Sequence, residues 1–278
     1  MKRGLLVLLV LLLSPGLFAA TWYKTLAEAQ AVAKQKNQLI FVDLFANWCG
    51  WCHRMEREVF PSEKFQNATK EMVLLRLDTE DRGEGTRFSL QYGIRSLPTF
   101  LLLDKDLMIA GVITGYAPAD PFSARVIETV GKYEDFRQRL KEEPKNLTNY
   151  PYRLELARDL ISRRAWNEGE KRLKGLIDDA KTPADVRALA RYNLAISLLN
   201  QKQYDASATT LKKLLSEASA GEMAEKGAFL LGQVYLEQGR YPESLAELKR
   251  FKDRYPQSSL IENVNVMIPQ LEKVLARP

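Results

Sequence analysis

The stretch Gln38-Leu39-Ile40-Phe41-Val42-Asp43-Leu44-Phe45-Ala46-Asn47-Trp48-Cys49-Gly50-Trp51-Cys52 decides the fold of the first half of the chain. Its first eight residues form a near-continuous apolar run, as expected of a β-strand that is buried on both faces. Two cysteines follow at once, and a helix is predicted over Gly50–Val59. A buried strand that leads two cysteines into the first turn of a helix predicts a chemical site at the end of that strand.

Cys49 and Cys52 are the only cysteines in the chain. Because they lie three positions apart, they cannot cross-link distant parts of the fold, and their role is predicted to be chemical. A thiolate is the nucleophile in disulfide exchange, and unpaired N–H groups at a helix start stabilise it. We therefore predict that Cys49 is the attacking nucleophile, that Cys52 is the resolving thiol, and that the two form a redox-active disulfide.

Two further residues support a redox site. Asp43 lies inside the apolar strand, where desolvation raises the pKa of a carboxyl group, so it is predicted to exchange a proton with Cys52. The alternative is that Asp43 faces solvent at the end of the strand. Pro98 precedes a predicted strand, where a cis X–Pro bond is tolerated, and the alternative is an ordinary trans proline.

The surrounding sequence predicts an α/β domain over residues 21–141, with a sheet covered by helices. Asp104-Lys105-Asp106 is a turn sequence that predicts a hairpin between the last two strands. The predicted helices and strands are Thr25–Lys36 (helix), Met72–Leu77 (strand), Gly85–Tyr92 (helix), Thr99–Leu103 (strand), Leu107–Thr114 (strand) and Ala119–Leu140 (helix).

The segments Val42–Cys52 and Gly93-Ile94-Arg95-Ser96-Leu97-Pro98-Thr99 resemble thioredoxin in order and separation, and the resemblance covers residues 22–140. It implies that Asp43 is a buried acid, that the Leu97–Pro98 bond is cis beside the dithiol, and that the Leu97 backbone pairs with substrate. The expected substrate-binding residues are Trp48, Gly50, Trp51 and Leu97. The string Cys-Gly-Trp-Cys-His followed by Arg54–Phe60 is similar to exported thioredoxin-like domains, such as the C-terminal domain of the DsbD family of thiol-transporting membrane proteins.

Two departures from thioredoxin leave the direction of electron flow open. Trp51 stands where thioredoxin has proline, and the lysine partner of the buried acid falls near the apolar Leu74. The preferred interpretation is a reductase of protein disulfides without a cofactor, and the alternatives are a thiol oxidase or an isomerase.

The rest of the chain repeats with a helical pattern. A polar linker is predicted over residues 142–152 and a helical domain over residues 153–278. Equivalent positions recur at offsets of 38 and 37 residues: Leu156-Ala157, Leu194-Ala195 and Leu231-Gly232; Trp166, Tyr204 and Tyr241; Leu173, Leu211 and Leu248. The pattern resembles the tetratricopeptide repeat, with about three helix pairs and a capping helix over Ser258–Leu275. The alternative is a generic helical bundle.

The N-terminus has the layout of a signal peptide over residues 1–20. Lys2 and Arg3 precede an aliphatic run over Leu5–Leu13, and Ala19-Ala20 suits peptidase cleavage. The alternative is an uncleaved anchor. We expect an exported protein, soluble after cleavage, in a bacterial periplasm. Its expected partners are protein thiols or disulfides, a membrane thiol transporter as electron donor, and an unidentified protein bound by the repeats.

Other classes of function have less support. Without residues 1–20 the balance of 39 basic and 35 acidic side chains leaves a net charge of +4, with no basic stripe that would favour nucleic acid. Cys49–Cys52 with His53 also fits the attachment pattern of c-type haem, in which His53, the only histidine, would be the axial ligand. A zinc site lacks a fourth ligand, so no metal is expected. A Cys–His hydrolase lacks a suitable histidine. A binding scaffold with a minor redox role is the remaining alternative.

Overall fold

A single five-stranded sheet organises the first part of the protein. The structure is a computed structural model, and it describes residues 21–217 and 221–276. The strands are β1 (Trp22–Tyr23), β2 (Leu39–Phe45), β3 (Met72–Asp78), β4 (Thr99–Leu103) and β5 (Ile109–Thr114). Their order is β1-β3-β2-β4-β5, with β3 parallel to β1 and β2, and β4 antiparallel to β2. The Asp104–Leu107 turn joins β4 to its neighbour β5, as predicted.

Of the five α-helices described in this part, four begin within a few residues of a predicted helix. The five helices are α1 (Leu26–Lys36), α2 (Gly50–Arg54), α3 (Glu63–Thr69), α4 (Glu84–Tyr92) and α5 (Ala119–Glu142). The helix predicted over Gly50–Val59 changes its hydrogen-bonding pattern, because Met55–Val59 form a π-helical turn directly after α2. β1 and α3 were not predicted from the sequence. With two and seven residues they are too short to show a clear periodicity.

Aromatic rings fill the core next to β2. Phe41 of β2 is fully buried, and its ring lies 5.5 Å from that of Phe100 on β4 and 5.3 Å from that of Phe65 on α3. Phe122 of α5 closes the cluster, with its ring 4.8 Å from that of Phe100. Edge-to-face and stacked ring pairs at these distances stabilise the core beyond the burial of apolar area, and they favour defined ring orientations. The strand that leads to the two cysteines is therefore anchored by a packed core.

The second part is helical, as predicted. Its helices are α6 (Tyr150–Ser162), α7 (Trp166–Asp178), α8 (Ala184–Asn200), α9 (Tyr204–Glu217), α10 (Glu222–Glu237), α11 (Tyr241–Arg254) and α12 (Ile261–Leu275). The three repeated aromatic residues are the first residues of α7, α9 and α11. The three repeated leucines, Leu173, Leu211 and Leu248, are completely buried. The repeated positions of the sequence thus correspond to equivalent structural positions.

A small residue allows the two helices of a pair to approach closely. A Cβ atom on Gly232 of α10 would lie 2.9 Å from a methyl carbon of Leu248 on α11. The Ser244 hydroxyl also donates a hydrogen bond to the Gly232 carbonyl at 2.8 Å, and Ser207 donates to the Ala195 carbonyl at the same distance one repeat earlier. The repeats therefore share a helix-crossing contact as well as a sequence spacing.

The described residues divide into two compact units. Of the described residues, those up to Leu107 and Val112–Glu128 form one compact unit, and Met108–Gly111 with the residues from Thr129 onward form the other. α5 contributes to both units and runs unbroken to Glu142, after which Glu143–Lys145 form a 3-10 turn. The segment predicted as a linker over 142–152 is therefore structured.

The predicted signal peptide lies outside the described residues. Within the ranges that the structure covers, no helix is long and apolar enough to span a bilayer.

Candidate active site

The two cysteines form a disulfide at the start of α2. The Cys49–Cys52 S–S distance is 2.02 Å, and the exposed fractions of the two residues are 3% and 1%. Cys49 is the N-cap residue of α2, and its Sγ accepts a hydrogen bond from the backbone N–H of Cys52 at 3.1 Å. When the disulfide is reduced, the same N–H and the positive end of the helix favour a thiolate on Cys49. The geometry therefore assigns different environments to the two sulfurs.

Asp43 is buried in the strand that leads to the cysteines. The parallel pairing of β2 with β3 places Asp43 opposite Arg76, whose Nε lies 3.1 Å from Oδ2. The two groups are close enough for a charge interaction, but they are not aligned for a hydrogen bond, and neither carboxylate oxygen has a hydrogen-bond partner. Burial raises the pKa of Asp43 to about 7, although the Arg76 charge opposes this shift. The carboxyl group can thus gain or lose a proton near neutral pH.

Arg76 also binds a second carboxylate. Its Nη1 and Nη2 donate to the two oxygens of Glu56 at 2.6 and 2.9 Å, and its guanidinium lies 4.2 Å from the ring centre of Phe45. The bidentate bond lowers the pKa of Glu56. Arg76 was not predicted as the partner of Asp43, because the resemblance to thioredoxin places that partner near Leu74. The available signal was a single cation within the apolar run Met72–Asp78.

The Leu97–Pro98 peptide bond is cis. It directly precedes β4, and Thr99 of β4 is paired with Leu44 of β2. Since β2 ends at Phe45, the cis bond lies at the end of the sheet from which the chain continues to Cys49. The Pro98 carbonyl accepts a hydrogen bond from the Gly115 N–H at 2.9 Å, so the segment is held on the side of β5 as well.

Two exposed indoles flank Cys49 in the sequence. Trp48 is 68% exposed, and its indole N–H donates to Glu80 at 2.7 Å. Trp51 is 55% exposed, and its ring stacks on Tyr116 with 5.1 Å between the ring centres. Gly50 lies between the cysteines, and a Cβ atom there would meet nothing within 4 Å. Two exposed indole side chains are therefore carried by residues next to the cysteines in the sequence.

Tyr116, which was not predicted as a site residue, follows β5 in the loop after Gly115. Its hydroxyl donates to Glu58 at 2.8 Å, and Glu58 also accepts from Arg54. Glu58 belongs to the π-helical turn and Arg54 to the end of α2. No local sequence signal identifies this contact, because Tyr116 lies 58 residues after Glu58.

The His53 side chain contacts Asn47 and Glu56. Its Nε2 lies 2.8 Å from the Asn47 carbonyl, and its Nδ1 lies 4.0 Å from Glu56. Within the described ranges, no group of three or more His, Cys, Asp or Glu side chains is arranged to hold a metal ion.

The two parts of the chain match two known families. Residues 21–105 match the thioredoxin-like family, and residues 154–222 and 192–259 match the tetratricopeptide repeat family. The predictions of a thioredoxin-like α/β domain and of a tetratricopeptide-like helical domain are therefore confirmed.

The curated relatives that the chain matches are much longer proteins. The thiol:disulfide interchange protein DsbD of Klebsiella pneumoniae is 32% identical over 112 residues, which is 39% of this chain and 19% of that protein. DsbD of Pseudomonas fluorescens is 32% identical over 117 residues, which is 40% of this chain and 20% of that protein. The chain thus spans about a fifth of these relatives.

Among solved structures, the oxidised C-terminal domain of Neisseria meningitidis DsbD aligns with 39% of this chain and 99% of its own, with 16% identity and a TM-score of 0.34. The predicted resemblance to DsbD proteins agrees with the sequence matches. The thioredoxin-like domain with its paired cysteines has the fold of a thiol–disulfide oxidoreductase.

Proposed function

We propose that the protein is an exported thiol–disulfide oxidoreductase that reduces protein disulfides through Cys49 and Cys52. The observation that carries this proposal is the position of Cys49 at the N-cap of α2, where its sulfur accepts the Cys52 N–H. The sequence similarity to DsbD proteins supports the same class of reaction.

In the proposed reaction the reduced protein gives two electrons to a substrate disulfide. The Cys49 thiolate attacks one substrate sulfur, a bond forms between these two sulfurs, and the other substrate sulfur leaves as a thiolate. The Cys52 thiol then loses its proton and attacks Cys49. The second substrate thiolate leaves, and the protein retains the Cys49–Cys52 disulfide, which is the state in this structure.

Asp43 is the proposed acceptor of the Cys52 proton. A carboxylate with a pKa of about 7 can take a proton from a thiol and return it near neutral pH. Arg76 supports this role because its charge offsets part of the desolvation of Asp43. Trp48, Gly50, Trp51 and Leu97 are the proposed substrate contacts, and Pro98 the residue that orients Leu97.

The repeat domain is proposed to bind a protein partner or to present substrates. A cavity of about 840 Å³ lies among residues of α6, α8, α9 and α10. Its lining combines apolar residues such as Leu189 and Met223 with Tyr192 and with charged residues such as Arg158 and Glu217. Grooves between stacked helix pairs are common sites for peptides. The experiment is to compare the rate with a native target for the wild type and for Tyr192→Ala, with Tyr241→Ala as the control outside this cavity. An unchanged rate would contradict delivery of substrates through this cavity.

Export to a bacterial periplasm and a membrane thiol transporter as electron donor complete the proposal. The signal-like residues 1–20 and the similarity to DsbD support both. The test is to express the full chain in a bacterium and to determine the mass and the compartment of the product. A product that retains residues 1–20 in the membrane fraction would favour an anchor instead.

The direction of electron flow is tested by the reduction potential of the Cys49–Cys52 pair in glutathione buffers. A value near that of thioredoxin, about −270 mV, supports a reductase, whereas a value near about −120 mV contradicts it and favours a thiol oxidase. The absorption spectrum of the same purified protein tests the haem alternative, because a c-type haem protein would show a Soret band.

A further inference from the structure

Four side chains next to the disulfide form a closed set of contacts, here called the Tyr116 frame: Trp51, Arg54, Glu58 and Tyr116. The Trp51 and Tyr116 rings stack at an interplanar angle of 28°. The Arg54 guanidinium lies 4.7 Å from the ring centre of Tyr116 and 5.7 Å from that of Trp51. Glu58 accepts hydrogen bonds from Arg54 at 2.9 and 2.8 Å and from the Tyr116 hydroxyl at 2.8 Å. The frame thus joins α2 and the π-helical turn to the loop after β5.

The frame holds an exposed indole in one orientation. Trp51 is more than half exposed, yet it contacts Tyr116 through its ring and Arg54 through a cation–π interaction. An exposed tryptophan without such contacts would lose rotational freedom when a substrate binds. Because Trp51 is already restrained, that entropic cost of binding is reduced.

The charged members of the frame neutralise each other. Glu58 accepts from Arg54, and both are engaged before any substrate arrives. The indole N–H of Trp48 likewise already has a partner, because it donates a hydrogen bond to Glu80. What the Tyr116 frame offers to a substrate is therefore the exposed aromatic surface of Trp51, stacked on Tyr116, with the charges of Arg54 and Glu58 paired to each other. Aromatic surface favours an apolar side chain over a charged or small polar one.

We infer that this surface selects substrates that carry an apolar side chain next to the reacting cysteine, with Tyr116 as the positioning residue that fixes Trp51. The inference rests on the proposed function in one respect, since it requires that Cys49 form a mixed disulfide with the substrate. It adds a substrate class that the dithiol chemistry alone does not specify.

The test measures the stability of a mixed disulfide and is therefore independent of the direction of electron flow. Full-length Cys52→Ser protein is prepared with glutathione on Cys49 and equilibrated with acetyl-Gly-Cys-Leu-Gly-amide or acetyl-Gly-Cys-Ser-Gly-amide. The peptide thiolate displaces glutathione, so one disulfide breaks as another forms and no net oxidation occurs. Intact-protein mass spectrometry gives the equilibrium constant for each peptide.

We expect the leucine peptide to be favoured over the serine peptide by about two- to tenfold, the range of aromatic contact energies. Tyr116→Ala in the same background should bring this ratio close to one. Tyr116→Phe keeps the stacked ring but lacks the hydrogen bond to Glu58, so its ratio should be intermediate. Tyr241→Ala removes a partly exposed tyrosine from the start of α11 and should leave the ratio unchanged.

A leucine-to-serine ratio that is the same with and without the Tyr116 side chain would overturn the inference. An equal decrease of the exchange equilibrium constant for both peptides in Tyr116→Phe would also overturn it. Tyr116 would then support the fold or the reactivity of Cys49 without selecting a side chain. If Cys49 exchanged with neither peptide, the proposed function would fail as well. Exchange with both peptides at equal strength would refute only the selection.

Discussion

The buried carboxyl group of Asp43 should make the stability of the oxidised protein depend on pH. Its pKa is 3.8 for an unperturbed carboxyl group and about 7 in the folded protein. Between these values the folded state binds a proton that the unfolded state has released. The free energy of unfolding therefore falls as the pH rises from about 4 to about 7, and it does not change further from this group above that range.

The size of the effect follows from the shift in pKa. One unit corresponds to about 1.4 kcal/mol, so a shift of roughly three units gives at most about 4 kcal/mol. Asp43→Asn lacks this contribution to the pH dependence of the free energy of unfolding, because the amide does not titrate. The stability of Asp43→Asn relative to the wild type should thus increase by up to about 4 kcal/mol between pH 4 and pH 8.

Urea unfolding of the oxidised full-length proteins at several pH values measures this difference. Tryptophan fluorescence is a suitable probe, since Trp22, Trp48 and Trp51 lie in the unit that contains Asp43. Asp106→Asn is the control, because the Asp106 side chain is 61% exposed and its removal should change stability by about 0.5 kcal/mol or less. A difference between Asp43→Asn and wild type that is constant from pH 4 to pH 8 would refute the assignment of a raised pKa.

Three further predictions concern the charge beside this carboxyl group, a close backbone approach and the repeat core. Arg76→Met removes the charge that lowers the pKa of Asp43, and the pKa of Asp43 should therefore rise above 7 by about one unit or more. Infrared titration of the carboxyl group measures this change, and an unchanged titration would contradict the ion pair. Gly85→Ala should destabilise the protein by about 3 kcal/mol, because a Cβ atom there would lie 1.9 Å from a β3 carbonyl oxygen. Gly131→Ala, in an open position of α5, should instead be neutral or stabilising in the same thermal unfolding assay, and similar effects of the two alanines would argue against the close approach. Leu248→Ala should lower the free energy of unfolding by about 2–5 kcal/mol, because the side chain is fully buried, and urea unfolding measures this loss. A loss below about 1 kcal/mol would mean that the helix pair is not packed as described.

Much of the organisation could be predicted from the sequence because its signals are local. An apolar run followed by two cysteines specifies a buried strand and a helix start, and both are found at β2 and α2. The repeated aromatic residues mark helix starts, because a spacing of 37 or 38 residues preserves the register of successive helix pairs. Periodicity within one element, or between copies of one element, needs no knowledge of the tertiary fold.

The contacts that tune the candidate site come from the tertiary structure alone. Arg76 faces Asp43 because β2 and β3 pair in one particular register, and a shift of one residue would turn the arginine to the other face of the sheet. Tyr116 meets Trp51 because the loop after β5 approaches α2, although 65 positions separate them in the sequence. The position of the paired cysteines at the end of a buried strand was thus determined by the sequence, whereas the charges and rings around them were decided by strand register and packing, which leave no local pattern.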